Sequence, residues 1–342
     1  MLVLGDLACP SSEMAQRLSD CMSSIEIFKN QMVICNLEGV ICDTDPKCDE
    51  KLFNHPDVLN AFNPKKALFS LANNHTYDYP NLIELTEKEL ESRKFFFNGV
   101  MKNGLITPTE FEISDKKYAV FTHCWKVYTE TNPNTQNDIR IVDMKYKDFF
   151  VLFTEYIRSH LDTRVICYFH WNYDLETLPF PMYRQLARDL IDEGAYAIIG
   201  NHSHVPQGGE SYKGRPIVYG LGNFFIPSGH FFNEHLNYPD ESKKMMILEI
   251  PEDDSPVRCH WFLTDMKNPV EFICTEDFET GRMIATYSPY RNMDSAEFLR
   301  YFKRNRKKRV LVPVFKSYRG VFANSKEIAA ISRIKLIKRI KG

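Results

Sequence analysis

The sequence predicts an α/β protein in which helices cover a largely buried sheet. Short apolar runs of strand length alternate with amphipathic stretches of helix length up to about residue 222. Polar residues recur at the ends of those runs. Hydrophobic residues make up 44% and aromatics 13% of the 342 positions, enough for a sizeable core. That length suits one large α/β domain with an extension.

The first strand is expected at residues 1–4, where MLVL is apolar from the start, and a helix at 11–29 follows. Apolar runs place further strands at 32–36, 67–72, 95–100, 118–123, 164–169, 196–199 and 217–221. Between them, helical periodicity places helices at 81–93, 147–160 and 181–193. The last of these opens at Pro181 and stops before Gly194, the usual asymmetry of helix ends. Past residue 222 the rhythm changes to a hairpin, 244–250 with 257–263, turned by PEDDSP. From 266 onward charge replaces the polar motifs. The expected division is therefore a main domain at 1–265 and a basic C-terminal extension at 266–342.

Charge is distributed unevenly. Residues 301–342 hold 14 Lys or Arg and one acid, Glu327, so residues 1–300 carry −15 of a net −2. The nine cysteines sit mostly in apolar surroundings, and without a Cys-x-x-Cys pair they read as reduced thiols of a cytoplasmic protein rather than a disulfide framework or zinc ribbon. Cys42 and Cys48 flank an acidic loop with no evident role. No apolar stretch approaches the roughly 20 residues of a membrane span, and Asp6 stands too early for a signal peptide. Neither a signal peptide nor a transmembrane segment is expected.

The polar strand ends carry the chemistry. Asp6 follows MLVLG, Glu38 follows VICNL, and Asn73, Asn74 and His75 follow LFSLA. His170 closes RVICYF, and His202 and His204 follow YAIIGN. Singly, each has a plain reading: Asp6 a cap, Glu38 a solvated turn, Asn73 and Asn74 a turn pair, His170 a satisfied half-buried histidine. Parallel strands bring such ends to one edge, where α/β proteins bind ligands. Carboxylates, amides and imidazoles together suit Zn, Mn or Fe. Two such ions would hold a phosphate between them and supply a nucleophile at neutral pH, while an uncoordinated imidazole handles a proton. His55, His160, His230, His235 and His260 lack this setting; His123 ends a strand and is kept as a pocket candidate.

At these residues the chain resembles the CapA family of poly-γ-glutamate capsule synthesis proteins, within the calcineurin-like metallophosphoesterase superfamily. The resemblance runs through GD (5–6), NLEGVI (36–41), ANNHTYDYP (72–80), HW (170–171), GNHSHV (200–205) and YKGRPIVYGLGNF (212–224). It implies a four-layer α/β/β/α sandwich with two divalent metal ions at one sheet edge. Asp6 and His204 would belong to the first metal, Asn74, His170 and His202 to the second, and Glu38 would bridge both. His75 matches the histidine that acts as general acid or stabilises the transition state. Asn73 and Asp78 would support its loop, and Asn223 would serve the pocket. Two departures stand out. The superfamily's Asp-x-His is here Asp6-Leu7-Ala8, so one first-metal ligand is missing, as the resemblance implies for the family generally. The family's His-Trp-Gly-x-Glu is here HWNYD, with Asn172 for Gly and either Asp174 or Glu176 in place of Glu.

The resemblance implies a metal-dependent phosphoesterase-like hydrolase of capsule or surface-polysaccharide synthesis, with poly-γ-glutamate as one such polymer and a phosphorylated or polyanionic substrate. The alternative is a non-catalytic assembly or polyanion-binding factor. In residues 329–342, Ile331, Ile334, Leu336 and Ile337 interleave with Arg333, Lys335, Lys338 and Arg339. That pattern fits a solvated helix on the acidic body, contact with an anionic membrane at its inner face, or a polyanion. Nucleic acid is not expected, because no groove-reading motif accompanies the charge.

Overall fold

The computed structural model describes residues 1–43, 51–101, 106–125, 140–141, 145–264, 269–307 and 332. The chain opens with β1 (Leu2–Leu7), α1 (Ser12–Ser24) and β2 (Val33–Leu37), then passes a short pair, β3 (Val40–Ile41) and β4 (Phe53–Asn54). It continues through β5 (Ala67–Ser70), α2 (Ile83–Ser92), β6 (Phe96–Asn98), β7 (Val100–Met101), β8 (Thr109–Ile113) and β9 (Lys116–Cys124). After β10 (Arg140–Ile141) come α3 (Tyr146–Ser159), β11 (Thr163–His170), α4 (Pro181–Asp192), β12 (Ala197–Asn201), β13 (Pro206–Tyr212) and β14 (Arg215–Leu221). The described part closes with β15 (Asn223–Phe225), β16 (Lys244–Glu249), β17 (Arg258–Leu263), β18 (Glu271–Asp277), α5 (Arg282–Tyr287) and α6 (Ser295–Asn305).

Two sheets result. The first runs β18-β17-β16-β1-β2-β5-β6 with β15 also on β1; the second runs β13-β14-β12-β11-β9-β8. At the centres of both, β1-β2-β5-β6 and β9-β11-β12-β14 are parallel. Alternation along each strand sorts side chains between two faces. On β11, Ile166 and Tyr168 join Val3, Ile34 and Leu68 in a layer between the sheets. Val165, Cys167 and Phe169 instead join Phe149 of α3, Leu186 of α4 and Phe298 of α6. On the far side of the first sheet, Leu2, Leu4, Cys35 and Phe69 pack on Met14 and Leu18 of α1. The order is thus helix, sheet, sheet, helix, the four-layer α/β/β/α sandwich implied by the resemblance.

The helices end where local chemistry stops them. Ser11 caps α1 by accepting from the Met14 N–H, and α4 starts at Pro181 and yields to Gly194. Strands and helices expected from periodicity appear within a few residues of their anticipated bounds. Helix 11–29 is shorter, ending at Ser24 with a single 3-10 turn at Glu26–Phe28 after it. Not anticipated were β3, β4, β8, β10, β13, β15, β18, α5 and α6; of these β8 alternates and α6 is amphipathic with a capping box of Asp294 and Glu297, signals that were present in the sequence.

Beyond residue 265, β18 extends the first sheet beside β17, and Phe298 and Phe302 of α6 enter the core over α4. The described part of the basic segment, up to Lys307, therefore packs on the body, and Lys307 meets Glu241 at 3.1 Å. The apolar-basic pattern of 329–342 lies outside the described residues apart from Ser332. Among the described residues no helix is long and apolar enough to cross a membrane, and the cysteines form no disulfide.

One buried charge cluster fastens α4 to the second sheet. Glu210 on β13 accepts from Arg184 at 2.9 and 2.7 Å, from Arg188 at 3.2 and 2.6 Å, and from the Tyr219 hydroxyl at 2.6 Å. Burial alone would raise its pKa, but the arginine hydrogen bonds outweigh this and hold it below the ordinary carboxylate value. Removing one member of such a buried set costs about 3–5 kcal/mol, because the partners' charge is stranded. Urea unfolding of Glu210→Gln should show a loss of that size; a loss below about 1 kcal/mol would mean the arginines find other partners.

Candidate metal centre

The parallel strands of both sheets end at one edge, and the polar residues meet there. Asp6 reaches it through an irregularity. Between Val3 and Asp6 β1 advances three residues while its partner β2 advances two, from Ile34 to Asn36. This bulge changes the strand's parity, so Asp6 lies inward although Leu4 and Leu7 both join the outer core. Gly5 makes the bend possible: a Cβ there would stand 1.8 Å from the Gly222 carbonyl oxygen. Asn36 and His170 need no such device. They keep the inward parity of Ile34 and of Tyr168.

The carboxylates differ sharply in their surroundings. Asp6 is fully buried and accepts from the Asn36 amide at 2.8 Å and the His202 backbone N–H at 3.0 Å. Glu38 is also fully buried, yet neither of its carboxylate oxygens has a hydrogen-bond partner among the described residues. Around Glu38 Oε1 stand the Nε2 atoms of His75 at 3.9 Å, His170 at 3.8 Å and His204 at 3.9 Å. These separations are too long for hydrogen bonds. Glu38, His202 and His204 bring ligand atoms within 4.8 Å of one another, a group able to hold a metal ion.

Burial raises the pKa of Asp6, partly offset by His204, and raises that of Glu38 well above normal, reinforced by the charges of Asp6, Asp174 and Asp78. Burial also lowers His170 well below its ordinary value, and lowers His202 to about 4 with Asp174 opposing the shift. At neutral pH His170 and His202 are therefore uncharged, the form in which imidazole binds metals. The edge thus gathers neutral nitrogen donors around a carboxylate that lacks a counter-charge.

The loop after β5 is built around Asn73. Its side-chain oxygen accepts from the backbone N–H groups of Gly39, His75 and Thr76 at 3.2, 3.1 and 3.0 Å. Its amide donates to Asn36 at 3.2 Å and to the Leu37 carbonyl at 2.8 Å. Asn73 thereby fixes the turn Asn74–Tyr77. Asn74 then places its amide oxygen 2.6 Å from His170 Nε2, and His75 places Nδ1 2.6 Å from Asp78. Asn223, level with Asp6 on the adjoining β15, holds His204 Nδ1 at 2.8 Å.

The two departures from the family pattern acquire explanations. Asn172 has φ +69, the left-handed conformation that glycine takes most readily and Asn tolerates. Its side chain secures that bend by donating to the Tyr219 carbonyl and accepting from the Phe180 N–H. Asp174 stands 3.2 Å from His202 Nε2, whereas the Glu176 carboxylate turns back to the N–H groups of Thr177 and Leu178. Asp174 is thus the acid beside the centre. Ala8 is buried in an apolar cluster with Leu52, Phe53 and Phe231, so its position offers no ligand.

All the strand-end residues singled out from the sequence converge here. His123 does not: it lies in the outer layer, stacked on Trp125 at 3.7 Å and edge-on to Phe149 at 5.1 Å. Sequence reasoning missed Asn36 and Tyr238. Asn36 joins Asp6, Asn73 and His170, and its signal was a lone amide at an inward position of VICNL. Tyr238, whose ring lies 5.0 Å from that of His204, comes from an irregular loop without a pattern.

A carboxyl whose folded pKa exceeds its unfolded value costs stability above the unfolded pKa, and the cost grows as pH rises toward the folded one. Glu38→Gln should therefore stabilise the metal-stripped protein at neutral pH by roughly 1–3 kcal/mol, with the gain shrinking toward pH 4. The same change should erase any stabilisation by added Mn²⁺. Thermal unfolding with and without metal checks both, and a destabilised metal-free variant would contradict the account.

The sequence model described as "Bacterial capsule synthesis protein PGA_cap" matches residues 11–228. The "PGA biosynthesis protein CapA" of Bacillus subtilis (strain 168) is 37% identical over 82 residues, 24% of this chain and 21% of that protein. The "Capsule biosynthesis protein CapA" of Bacillus anthracis is 40% identical over 60 residues, 18% of this chain and 15% of that protein. These matches span about a fifth or less of the curated relatives. Among solved structures, a putative 5'-nucleotidase from Staphylococcus aureus overlays with a TM-score of 0.44 at 11% identity, over 82% of this chain and 54% of that one.

Proposed function

The chain belongs to the bacterial capsule synthesis protein family, and from that premise we propose that it is a metal-dependent phosphoesterase-like hydrolase of capsule or surface-polysaccharide synthesis. The observation carrying the proposal is Glu38, a buried carboxylate whose two oxygens have no hydrogen-bond partner among the described residues, with three imidazole nitrogens 3.8–3.9 Å from one of them. An uncompensated buried carboxylate is costly, and a divalent cation is its natural complement. Imidazole, carboxylate and amide donors fit Mn, Fe or Zn.

Two ions are proposed, with Asp6 and His204 toward one, Asn74, His170 and His202 toward the other, and Glu38 shared. Bound divalent ions would supply Lewis acidity toward a phosphoryl oxygen and a nucleophile at neutral pH. The remaining work falls to the chain. Asp78 accepts from His75 Nδ1–H, which fixes the ring so that Nε2 faces the centre. From there Nε2 carries the proton delivered to a leaving oxygen, and Asp78 stabilises the imidazolium. The Asn36, Asn73 and Asn223 amides hold ligands in place and do not meet the substrate. A phosphorylated or polyanionic surface polymer is the substrate class, poly-γ-glutamate being one candidate among such polymers. The basic charge of 301–342 favours such a polyanion or an anionic membrane at the inner, cytoplasmic face as a partner.

A second reading, a non-catalytic assembly or polyanion-binding factor, draws support from Ala8, which puts a buried methyl where the superfamily has a first-metal histidine. Metal analysis and turnover separate the two. With added Mn²⁺, p-nitrophenyl phosphate or its diester should be hydrolysed, and His75→Ala should lower kcat by about 10²–10⁴-fold with unchanged metal content. Protein that holds no metal after Mn²⁺ addition would rule out the hydrolase, and an undiminished His75→Ala would remove that residue's role.

A further inference from the structure

The connection from β15 to β16 brings two aromatic side chains to the metal centre. Phe232 meets His75 edge-on with ring centroids 5.9 Å apart, and Tyr238 lies 5.0 Å from His204. Each of those histidines places Nε2 3.9 Å from Glu38 Oε1, so both rings border the surroundings of one carboxylate. Both are only half-buried, which leaves each with surface to offer.

The loop is built to hold them there. Phe231 is fully buried, edge-on to Phe53 at 5.6 Å, in the apolar cluster that also contains Ala8. The Gly229 N–H donates to the Leu236 carbonyl at 2.8 Å, and the Leu236 N–H donates to the Phe231 carbonyl at 3.1 Å. The Tyr238 N–H donates to the Ser228 hydroxyl at 3.1 Å. Between these ties Phe232, Asn233 and Glu234 run consecutively at φ +55, +54 and +66, a conformation that side-chain-bearing residues avoid. Strain of this kind persists where the surroundings over-determine a residue, and it gathers at ligand sites. Burial of Phe232 does not account for it, since that ring keeps open surface.

The Tyr238 hydroxyl is engaged by no hydrogen bond among the described residues. Burial, and then the charges of Glu38, Asp174 and Asp6, hold its pKa well above the ordinary value, so at neutral pH it is a donor. We propose that this loop is the substrate-recognition wall of the metal centre. Tyr238 donates to a phosphoryl oxygen, and Phe232 packs on the leaving group beside His75, selecting phosphate esters whose leaving group presents an apolar ring face. The proposal rests on the hydrolase reading and deepens it, because His75 is there the proton donor to the leaving oxygen.

Calorimetry on the full-length, Mn²⁺-loaded protein tests this with phenylphosphonate and methylphosphonate, which need no turnover to be read. Phenylphosphonate should bind tighter by about threefold to tenfold. Phe232→Ala should remove that preference. Tyr238→Phe should weaken both ligands at least about tenfold while leaving their ratio unchanged. Mn²⁺ affinity should match the unaltered protein in both variants; a fall would make the rings supports of the ligands and overturn the inference. An unaltered protein that binds no Mn²⁺ defeats the hydrolase reading, and the wall falls with it. With Mn²⁺ bound, the wall alone is defeated if neither phosphonate binds or both bind equally. A preference that survives Phe232→Ala, or undiminished binding in Tyr238→Phe, defeats it too.

Discussion

The arrangement of this protein turns on one electrostatic constraint, a glutamate sealed at the edge between two sheets with no donor among the described residues to satisfy it. Proteins rarely bury a carboxylate without hydrogen bonds, and among the described residues neither oxygen of Glu38 has one. Around it, burial suppresses the charge of His170 and His202 and raises the pKa of Asp6. The raised carboxyl values are unfavourable for the metal-free chain at neutral pH, and a bound cation would offset them. Neutral imidazoles would then serve as ligands, and the carboxylates would gain a counter-charge. The centre reads as stability sacrificed locally and recovered by binding.

What makes such a site possible is the outer scaffolding. Five parallel strand ends from two sheets must be held in mutual register to bring Asp6, Glu38, Asn74, His170 and His202 together. The sandwich does so with three dry layers, and at the edge itself asparagines replace apolar contacts. Asn36 and Asn73 tie β1, β2 and the β5 loop to one another, and Asn223 ties β15 to His204 in the loop after β12, through bonds of 2.8–3.2 Å. An amide can donate and accept at once without adding charge. That suits a position beside carboxylates and neutral imidazoles better than Lys or Asp would.

Much of this was legible in the sequence because it is periodic. Apolar runs announced the central strands of both sheets, and the residues after them announced the centre. The parity of Ile34 and Asn36, or of Tyr168 and His170, is likewise written in the chain. Asp6 is different: its inward direction depends on a bulge whose signal, Gly5, is a single glycine. Tyr238 was opaque for another reason. It is placed by packing its ring on His204, distant in sequence, and a local pattern does not encode that, whereas α6 carried its signal in an amphipathic face and the Asp294–Glu297 capping box. His123 shows the converse hazard: it stands one residue before the end of β9, level with Phe169 rather than His170, and so has the opposite parity and joins the outer core.

The departures from the family pattern can be weighed by the same reasoning. Replacing glycine with Asn172 costs little, because the side chain pins the left-handed bend with two hydrogen bonds while Trp171 anchors the neighbouring turn on the Tyr219 carbonyl. Asp174 keeps an acid within 3.2 Å of His202 even with a shorter side chain, though at 56% exposure it is bathed in solvent. Its pull on His202 is accordingly modest, and burial still prevails in lowering that imidazole. Ala8 is the change that nothing nearby repairs. Its surroundings are apolar, so in the proposed two-ion arrangement the first-metal side would be left with Asp6, His204 and the shared Glu38, while the second would keep Asn74, His170 and His202. An asymmetry of that kind would favour sequential filling, the side with more imidazoles binding the tighter of two ions.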